Sequence, residues 1–255
     1  MKTHLKFVAA IALLIGAGTA VKAQTLKEAI QLTENEQYVA AKAAFKKLIV
    51  AEPTNGDNFF YYGDLLLKMD DVDSANIIFQ KGVDIEPTNP LTHVGKGRGL
   101  MYKGNVEEGM KEISQAEALI TAQTGKKGTL LPPKVAIIYC EMAETYVWSP
   151  VPNFEKAIDY TNRAEKQDGS NPDVFLTRGD CQLQMDPING TLAIESYKKA
   201  ASVDPKSARA NVRIGRVYAG GKNMVEAIKF YNLAIGIEPN FGPAYRDKGE
   251  AWYQL

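Results

Sequence analysis

The chain contains 255 residues, in which 30 lysines and arginines are balanced by 30 aspartates and glutamates. This length suits one or two ordinary domains or a single array of repeats. The balanced charge gives no reason to expect a nucleic-acid partner, which would favour a basic surface. Hydrophobic residues make up 45% of the sequence, which is normal for a folded protein.

The N-terminal segment 1–23 has the parts of a secretory signal peptide. A basic start, MKTHLK, precedes the apolar run FVAAIALLIGAGTA, which is short for a membrane span. Small residues at Val21 and Ala23 fit cleavage after Ala23. The segment therefore predicts an exported protein, periplasmic or associated with the cell envelope, with no membrane span in the mature chain. The alternative is an uncleaved N-terminal membrane anchor.

The rest of the chain repeats a pattern of small, aromatic and proline residues. One series of small residues is spaced by 34, 34, 48, 36 and 34 positions: Ala41, Ala75, Gly109, Ala157, Ala193 and Ala227. An upstream series consists of Ala29, Gly63, Gly97, Ala143, Gly179, Gly215 and Gly249. Four places after the first series lie Phe45, Phe79, Tyr197 and Tyr231, and four units close on Pro53, Pro87, Pro205 and Pro239.

The spacing of these residues predicts helical hairpins. The small and apolar residues recur at helical spacing, and each proline cannot continue a helix. Glycine inside a helix costs up to about 1 kcal/mol relative to alanine. Its recurrence at one position predicts that another backbone approaches closely there. The aromatic residue is expected to fill the space between one unit and the next, so that the units must stack to bury their apolar faces.

The period and its fixed positions resemble the tetratricopeptide repeat family. The segment RIGRVYAGGKNMVEAIKFYNLAIGIEP matches the family's pattern without interruption. The resemblance implies an all-α fold, a right-handed superhelical solenoid of antiparallel helix pairs. The expected units are about 24–53, 54–87, 88–122, 135–171, 172–205 and 206–239, with a half unit 240–255 and an inserted loop 123–134. The half unit is either a capping helix or the start of a further repeat in a longer protein.

No catalytic, metal or cofactor site is predicted. His93 is the only histidine after the signal segment, and it is expected to pack against its hairpin partner. Cys140 and Cys181 lie on first helices of adjacent units, about five residues out of register, or roughly 7 Å along a helix axis. Free thiols are therefore favoured over a disulfide. The chain is predicted not to be an enzyme.

The resemblance implies that the first helix of each unit lines a concave groove. Transferred to this sequence, its expected groove residues are Phe60, Asp64, Lys68, Arg98, Tyr102, Glu144, Trp148, Asp180 and Arg216. Tyr102 and Trp148 are the strongest candidates, because aromatic residues often anchor interfaces. The alternative for Trp148 is that it only packs the adjacent turn.

This mixed lining suits a peptide better than a small metabolite. The sequence therefore predicts a non-catalytic scaffold that binds a protein or peptide partner. The alternative function is the N-terminal regulatory or sensory arm of a longer protein, whose effector domain lies beyond residue 255.

Overall fold

The computed structural model describes residues 25–124 and 128–255. The predicted signal peptide lies outside these residues. The described part contains thirteen α-helices and no strand. Their bounds are α1 Leu26–Glu34, α2 Tyr38–Ala51, α3 Gly56–Lys68, α4 Val72–Ile85, α5 Pro90–Tyr102, α6 Val106–Gln123, α7 Pro132–Trp148, α8 Phe154–Gln167, α9 Pro172–Met185, α10 Thr191–Val203, α11 Ala208–Gly220, α12 Met224–Ile237 and α13 Gly242–Tyr253. Six helical hairpins followed by a single helix form one stack, which confirms the all-α repeat fold.

Recurring asparagines start the first helices of three hairpins. The side chains of Asn55, Asn89 and Asn171 each accept a hydrogen bond from the backbone N–H two residues later, at 3.2, 2.9 and 2.9 Å. Such a cap satisfies one of the four N–H groups that have no partner at a helix start. Proline follows two of these asparagines at the first helical position, where no N–H is needed. Short local signals therefore set where each unit begins.

The glycines of the first helices make room for an aromatic ring. A Cβ atom added at Gly63, Gly179 or Gly215 would lie 2.3–2.4 Å from the ring of Phe79, Tyr197 or Tyr231, respectively. The expected backbone-to-backbone approach occurs at Gly97 instead, where a Cβ would lie 2.8 Å from the carbonyl oxygen of Gly109. The prediction of close approach is thus right at Gly63, Gly97, Gly179 and Gly215, although at three of them the approaching group is a side chain. It is wrong at Gly249, where nothing lies within 4 Å of an added Cβ atom.

The same aromatic residues join consecutive hairpins. A Cβ atom at Gly95 or Gly99 in α5 would lie 2.5 or 2.9 Å from the Phe79 ring, which comes from α4 of the preceding unit. The ring therefore packs between α3 and α5 and is only 1% exposed. This confirms that the aromatic position fills the space between units.

Irregular spacings in the sequence correspond to irregular connections. The turns 149–153 and 186–190 inside the fourth and fifth hairpins have five residues, whereas the turns 69–71, 103–105 and 221–223 have three. The extended helix α6 runs to Gln123, and α7 already begins at Pro132, within the segment expected to be a loop. Cys140 and Cys181 are both buried and unpaired, as the helical register predicts.

Candidate functional site

The concave face of the stack encloses a cavity of about 750 Å³, called the central cavity below. First helices of the units supply most of its wall, from α1 to α11. The helix α2 adds Tyr38 and Phe45, and the connecting segments add Glu36 and Phe241. Residues from the first hairpin and from the last helices thus face the same space.

The two ends of the array touch each other along a polar contact. On the N-terminal side it comprises Gln31, Glu34, Asn35 and Glu36, and on the C-terminal side Arg209, Glu238, Gly242 and Arg246; this contact is called the seam below. Arg209 Nη1 lies 2.7 Å from Glu34 Oε1. Glu238 Oε1 accepts hydrogen bonds from Gln31 Nε2 at 3.1 Å and Asn35 Nδ2 at 3.0 Å. A further ion pair joins Arg246 to Glu36.

The seam changes the shape of the site that the sequence predicts. The expected concave groove is bounded along its open side by contacts between residues about 175 to 210 positions apart in the chain. The concave face is therefore a partly enclosed cavity rather than an open groove.

Arg98 is the centre of a buried polar network in the cavity wall. Its side chain is only 4% exposed. Its guanidinium group donates hydrogen bonds to Asp64 Oδ1 at 2.5 Å, Glu141 Oε2 at 2.7 Å and Thr145 Oγ1 at 3.0 Å. The group also lies 5.2 Å from the centre of the Phe60 ring. One arginine of α5 thus ties α3 to α7.

The two carboxylates beside Arg98 differ in their pKa. Burial alone would raise the pKa of Asp64, but Lys68 and Arg98 together lower it below its usual value. Burial raises the pKa of Glu141 to about 7, and Arg98 offsets only part of this effect. Negative charge at Glu141 is therefore poorly compensated in the folded protein.

Other ion pairs connect first helices at a spacing of about one repeat. Arg213 forms a two-point contact with Asp180, with nitrogen–oxygen distances of 2.7 and 2.9 Å. Arg209 Nη1 lies 2.8 Å from Asp173, and Arg216 Nε lies 2.5 Å from Asp247. These pairs hold neighbouring units in register along the wall.

Eight of the nine predicted groove residues line the central cavity: Asp64, Lys68, Arg98, Tyr102, Glu144, Trp148, Asp180 and Arg216. Several of them are not free for a ligand, because Arg98, Asp180 and Arg216 are engaged in the pairs described above. Trp148 lines the cavity and is 47% exposed.

Phe60 requires a correction. The sequence predicts it on the groove surface, but it is 1% exposed and does not line the cavity. Its position three residues before Gly63 places it on the same helix face as that glycine, which faces the hairpin partner. The ring accordingly packs near Phe79, with a centre-to-centre distance of 6.2 Å.

Sequence reasoning missed several cavity residues: Glu34, Glu141, Asp173, Arg209 and Arg213. The sequence does contain a pattern that could have indicated two of them, Arg209 and Arg213. The segment RANVR places Arg209 and Arg213 four residues apart, on one helix face. The signal is weak, because an exposed helix face carries the same pattern.

His93 is a packed residue, as predicted. Its Nδ1 atom lies 2.7 Å from Glu112 Oε2 and its Nε2 atom lies 2.8 Å from the carbonyl oxygen of Pro87. Within residues 25–124 and 128–255, no group of three His, Cys, Asp or Glu side chains is placed to hold a metal ion. In the same ranges, none of the helices combines the length and the apolar character that crossing a membrane requires.

The family model "Tetratricopeptide repeat" matches residues 189–241. Among solved structures, a thermophilic tetratricopeptide protein from Thermus thermophilus aligns with a TM-score of 0.56 at 17% identity, over 78% of this chain and all of that one. Yeast Tom70 aligns with a TM-score of 0.57 at 13% identity, over 89% of this chain and 45% of that one. The matched segment is a tetratricopeptide repeat, and the two alignments show that the chain shares the helical-repeat fold of these proteins.

The curated relatives are much longer proteins. One relative is a probable UDP-N-acetylglucosamine–peptide N-acetylglucosaminyltransferase, SPINDLY, of Solanum lycopersicum. The two sequences are 34% identical over 79 residues, and this alignment covers 31% of this chain and 8% of that protein. It is 27% identical over 139 residues to the mitochondrial import receptor subunit TOM70 of Mus musculus, over 54% of this chain and 20% of that protein. The alignments thus span only a small part of either relative.

Proposed function

We propose that this chain is a non-catalytic scaffold of the periplasm or cell envelope that binds a short segment of a peptide or protein in its central cavity. The observation that carries the proposal is the enclosed wall built from the first helices of successive units, with Tyr102 and the half-exposed Trp148 facing the space. Aromatic side chains supply large contact areas at low entropic cost.

The wall is better suited to a peptide than to a compact apolar ligand. Its charged groups are distributed over α1, α3, α5, α7, α9 and α11, which resembles a row of contact points along a chain. Small-molecule sites usually have only a few polar groups, whereas thirteen charged side chains line this cavity. The backbone and side chains of a bound segment would form hydrogen bonds with these charged groups.

A chain segment also needs a route wide enough to enter the partly enclosed cavity. The seam consists of polar groups. Its outer pair, Arg246 and Glu36, is 46% and 31% exposed, and its inner pair, Arg209 and Glu34, is 26% and 27% exposed. Surface ion pairs of this kind contribute about 0–1 kcal/mol each. Transient opening of the seam is therefore the proposed route by which a chain segment enters.

The binding proposal is tested by panning a random heptapeptide library against residues 24–255. Wild type is expected to select binders, and Trp148→Ala is expected to weaken the selected peptides at least tenfold. The matched control is Trp252→Ala, since Trp252 is also exposed but lies outside the cavity wall. The proposal fails if wild type selects no peptide, or if both tryptophan variants bind the selected peptides equally well.

Export is proposed on the strength of residues 1–23. Expression in a Gram-negative host, followed by N-terminal sequencing, is expected to give a chain beginning at Gln24 in the periplasmic fraction. A chain that retains Met1 in the cytoplasm would contradict this part of the proposal.

The second candidate is a regulatory arm of a longer protein. It is supported by the curated relatives, in which the matched repeats occupy 8% and 20% of the sequence. A reading frame that continues past Leu255 into a non-repeat domain would favour it over the stand-alone scaffold.

A further inference from the structure

Glu144 differs from the other carboxylates in the wall of the central cavity. Every other acidic side chain of the described lining has a cationic partner within 4.0 Å, whereas Glu144 has none among the described residues. The hydroxyl group of Thr177 donates a hydrogen bond to it, and this bond is long, at 3.4 Å. One carboxylate that faces the cavity is thus almost unpartnered.

The charge of the surrounding wall is also incompletely balanced. Seven carboxylates and six cationic side chains line the cavity. Of the cations, Lys27 is exposed, and Arg209 is shared between Glu34 and Asp173. Burial raises the pKa of Glu34 despite the opposing effect of Arg209. Among the carboxylates of the described wall, Glu144 is therefore the one whose charge no direct ion pair balances.

Two aromatic residues lie near Glu144. Trp148 follows it by four residues in α7, so the two side chains share a helix face, and both line the cavity. Tyr102 faces the same space from α5. Burial raises the pKa of Tyr102, and the negative charge of Glu144 adds to this effect.

The nearest cationic side chains do not occupy this position. Arg98 is held by Asp64 and Glu141, and Lys68 Nζ is paired with Asp64. Both feel the field of Glu144 without bonding to it. Glu144 thus has no direct cationic partner in the described wall, and a cation brought by a ligand would supply one.

We propose that Glu144, Trp148 and Tyr102 form a cation-binding subsite for a lysine or arginine side chain of the bound segment. The carboxylate would accept a charge-assisted hydrogen bond, and the aromatic faces would attract the same cation through their ring quadrupoles. This inference rests on the proposed peptide-binding function and adds a preference for basic sequences.

The test uses the same heptapeptide library with three forms of the protein: wild type, Glu144→Gln and Glu108→Gln. Glu108 is an exposed carboxylate of α6 outside the cavity, so its variant makes the same chemical change on the outer surface. Peptides selected by wild type and by Glu108→Gln are expected to be enriched in lysine and arginine over the unselected library. Glu144→Gln is expected to lose this enrichment while it still selects peptides.

A second measurement isolates the charge. In the tightest selected peptide, its basic residue is replaced by norleucine, which keeps an apolar stem and removes the cation. This change is expected to weaken binding to wild type about tenfold or more, the scale of one hydrogen bond to a charged group. It should have little effect on binding to Glu144→Gln.

The outcomes separate the subsite from the general function. Selected peptides that depend on Trp148 but lack basic enrichment would overturn the subsite and leave the scaffold proposal standing. Basic enrichment that persists in Glu144→Gln would overturn the subsite in the same way. If wild type selects no peptide, both proposals fail. Thermal melts of each variant establish that any lost binding occurs in a folded protein.

Discussion

The contacts between neighbouring hairpins and the seam between the two ends of the array are built from different chemistry. Between hairpins, buried rings such as Phe79 fill spaces left by glycines, and they are about 1% exposed. At the seam, charged and amide side chains meet near the surface, and side-chain exposure reaches 46% at Arg246. The stack is therefore held by apolar packing, whereas its closure depends on weak polar pairs.

This difference predicts an order of events. Full burial of one large apolar side chain contributes about 1.5–3 kcal/mol, whereas an exposed ion pair contributes about 0–1 kcal/mol. The seam should therefore open while the hairpins remain stacked. Such an arrangement lets a cavity admit a chain segment without loss of the fold.

The largest expected effect comes from removal of an inter-hairpin ring. Phe79→Ala should lower the free energy of unfolding by about 3–5 kcal/mol, because it leaves a cavity between α3 and α5. The control is Ile77→Ala on the same helix, where the side chain is 58% exposed and little should change. Urea denaturation followed by circular dichroism measures both. Equal losses in the two variants would mean that the ring does not carry the contact.

The next effect comes from overfilling a glycine position. Gly215→Leu should cost about 1–3 kcal/mol, because even a Cβ atom would lie 2.4 Å from the Tyr231 ring. Gly249→Leu is the matched control, since nothing lies within 4 Å of a Cβ atom there. Melting curves should separate the two variants. An unchanged melting curve for Gly215→Leu would contradict the register of the repeats.

The smallest effect on stability is expected at the seam. Arg246→Ala should change the free energy of unfolding by less than about 1 kcal/mol, while the ends of the array separate more often. Lys229→Ala is the control, because it removes an exposed ion pair with Glu226 that lies within one helix.

Exchange of backbone amides in α1 measures the opening, with hydrogen exchange expected to be faster in Arg246→Ala than in Lys229→Ala. Salt at about 1 M should speed this exchange in wild type, because the screening length then falls to about 3 Å, close to the contact distances of the seam. Exchange in α1 that is unaffected by both salt and Arg246→Ala would show that the seam does not hold the ends together.

The sequence predicts the repeating contacts well because they are local. The spacing of Gly63, Phe79 and Gly97 is set within one or two units, and each residue type has a steric reason to be there. The prediction for Phe60 is wrong because the repeat pattern treats Phe60 and Asp64 of α3 as equally exposed. Only Asp64 faces the cavity, whereas Phe60 packs toward the hairpin partner. The register is correct, but the direction of one side chain is not.

Closure of the array could not be predicted in this way. It depends on small rotations that accumulate over six hairpins, which no local pattern in the sequence records. For example, nothing in the sequence indicates that Asn35 contacts Glu238, which lies 203 positions later. The lack of a direct cationic partner for Glu144 could not be predicted either, because it follows from the three-dimensional pairing of the carboxylates and cations around it.

Cross-linking tests most directly whether the two ends of the array meet and partly enclose the cavity. A Cβ atom at Gly242 would lie 3.0 Å from the backbone oxygen of Asn35. In a background with Cys140→Ala and Cys181→Ala, the pair Asn35→Cys and Gly242→Cys should form an intramolecular disulfide under mild oxidation, seen as a mobility shift on a non-reducing gel. The control pair Asn35→Cys and Asn189→Cys, with its second cysteine in the turn 186–190, should form none. A folded protein in which the first pair stays reduced, or cross-links no better than the control pair, would contradict the claim.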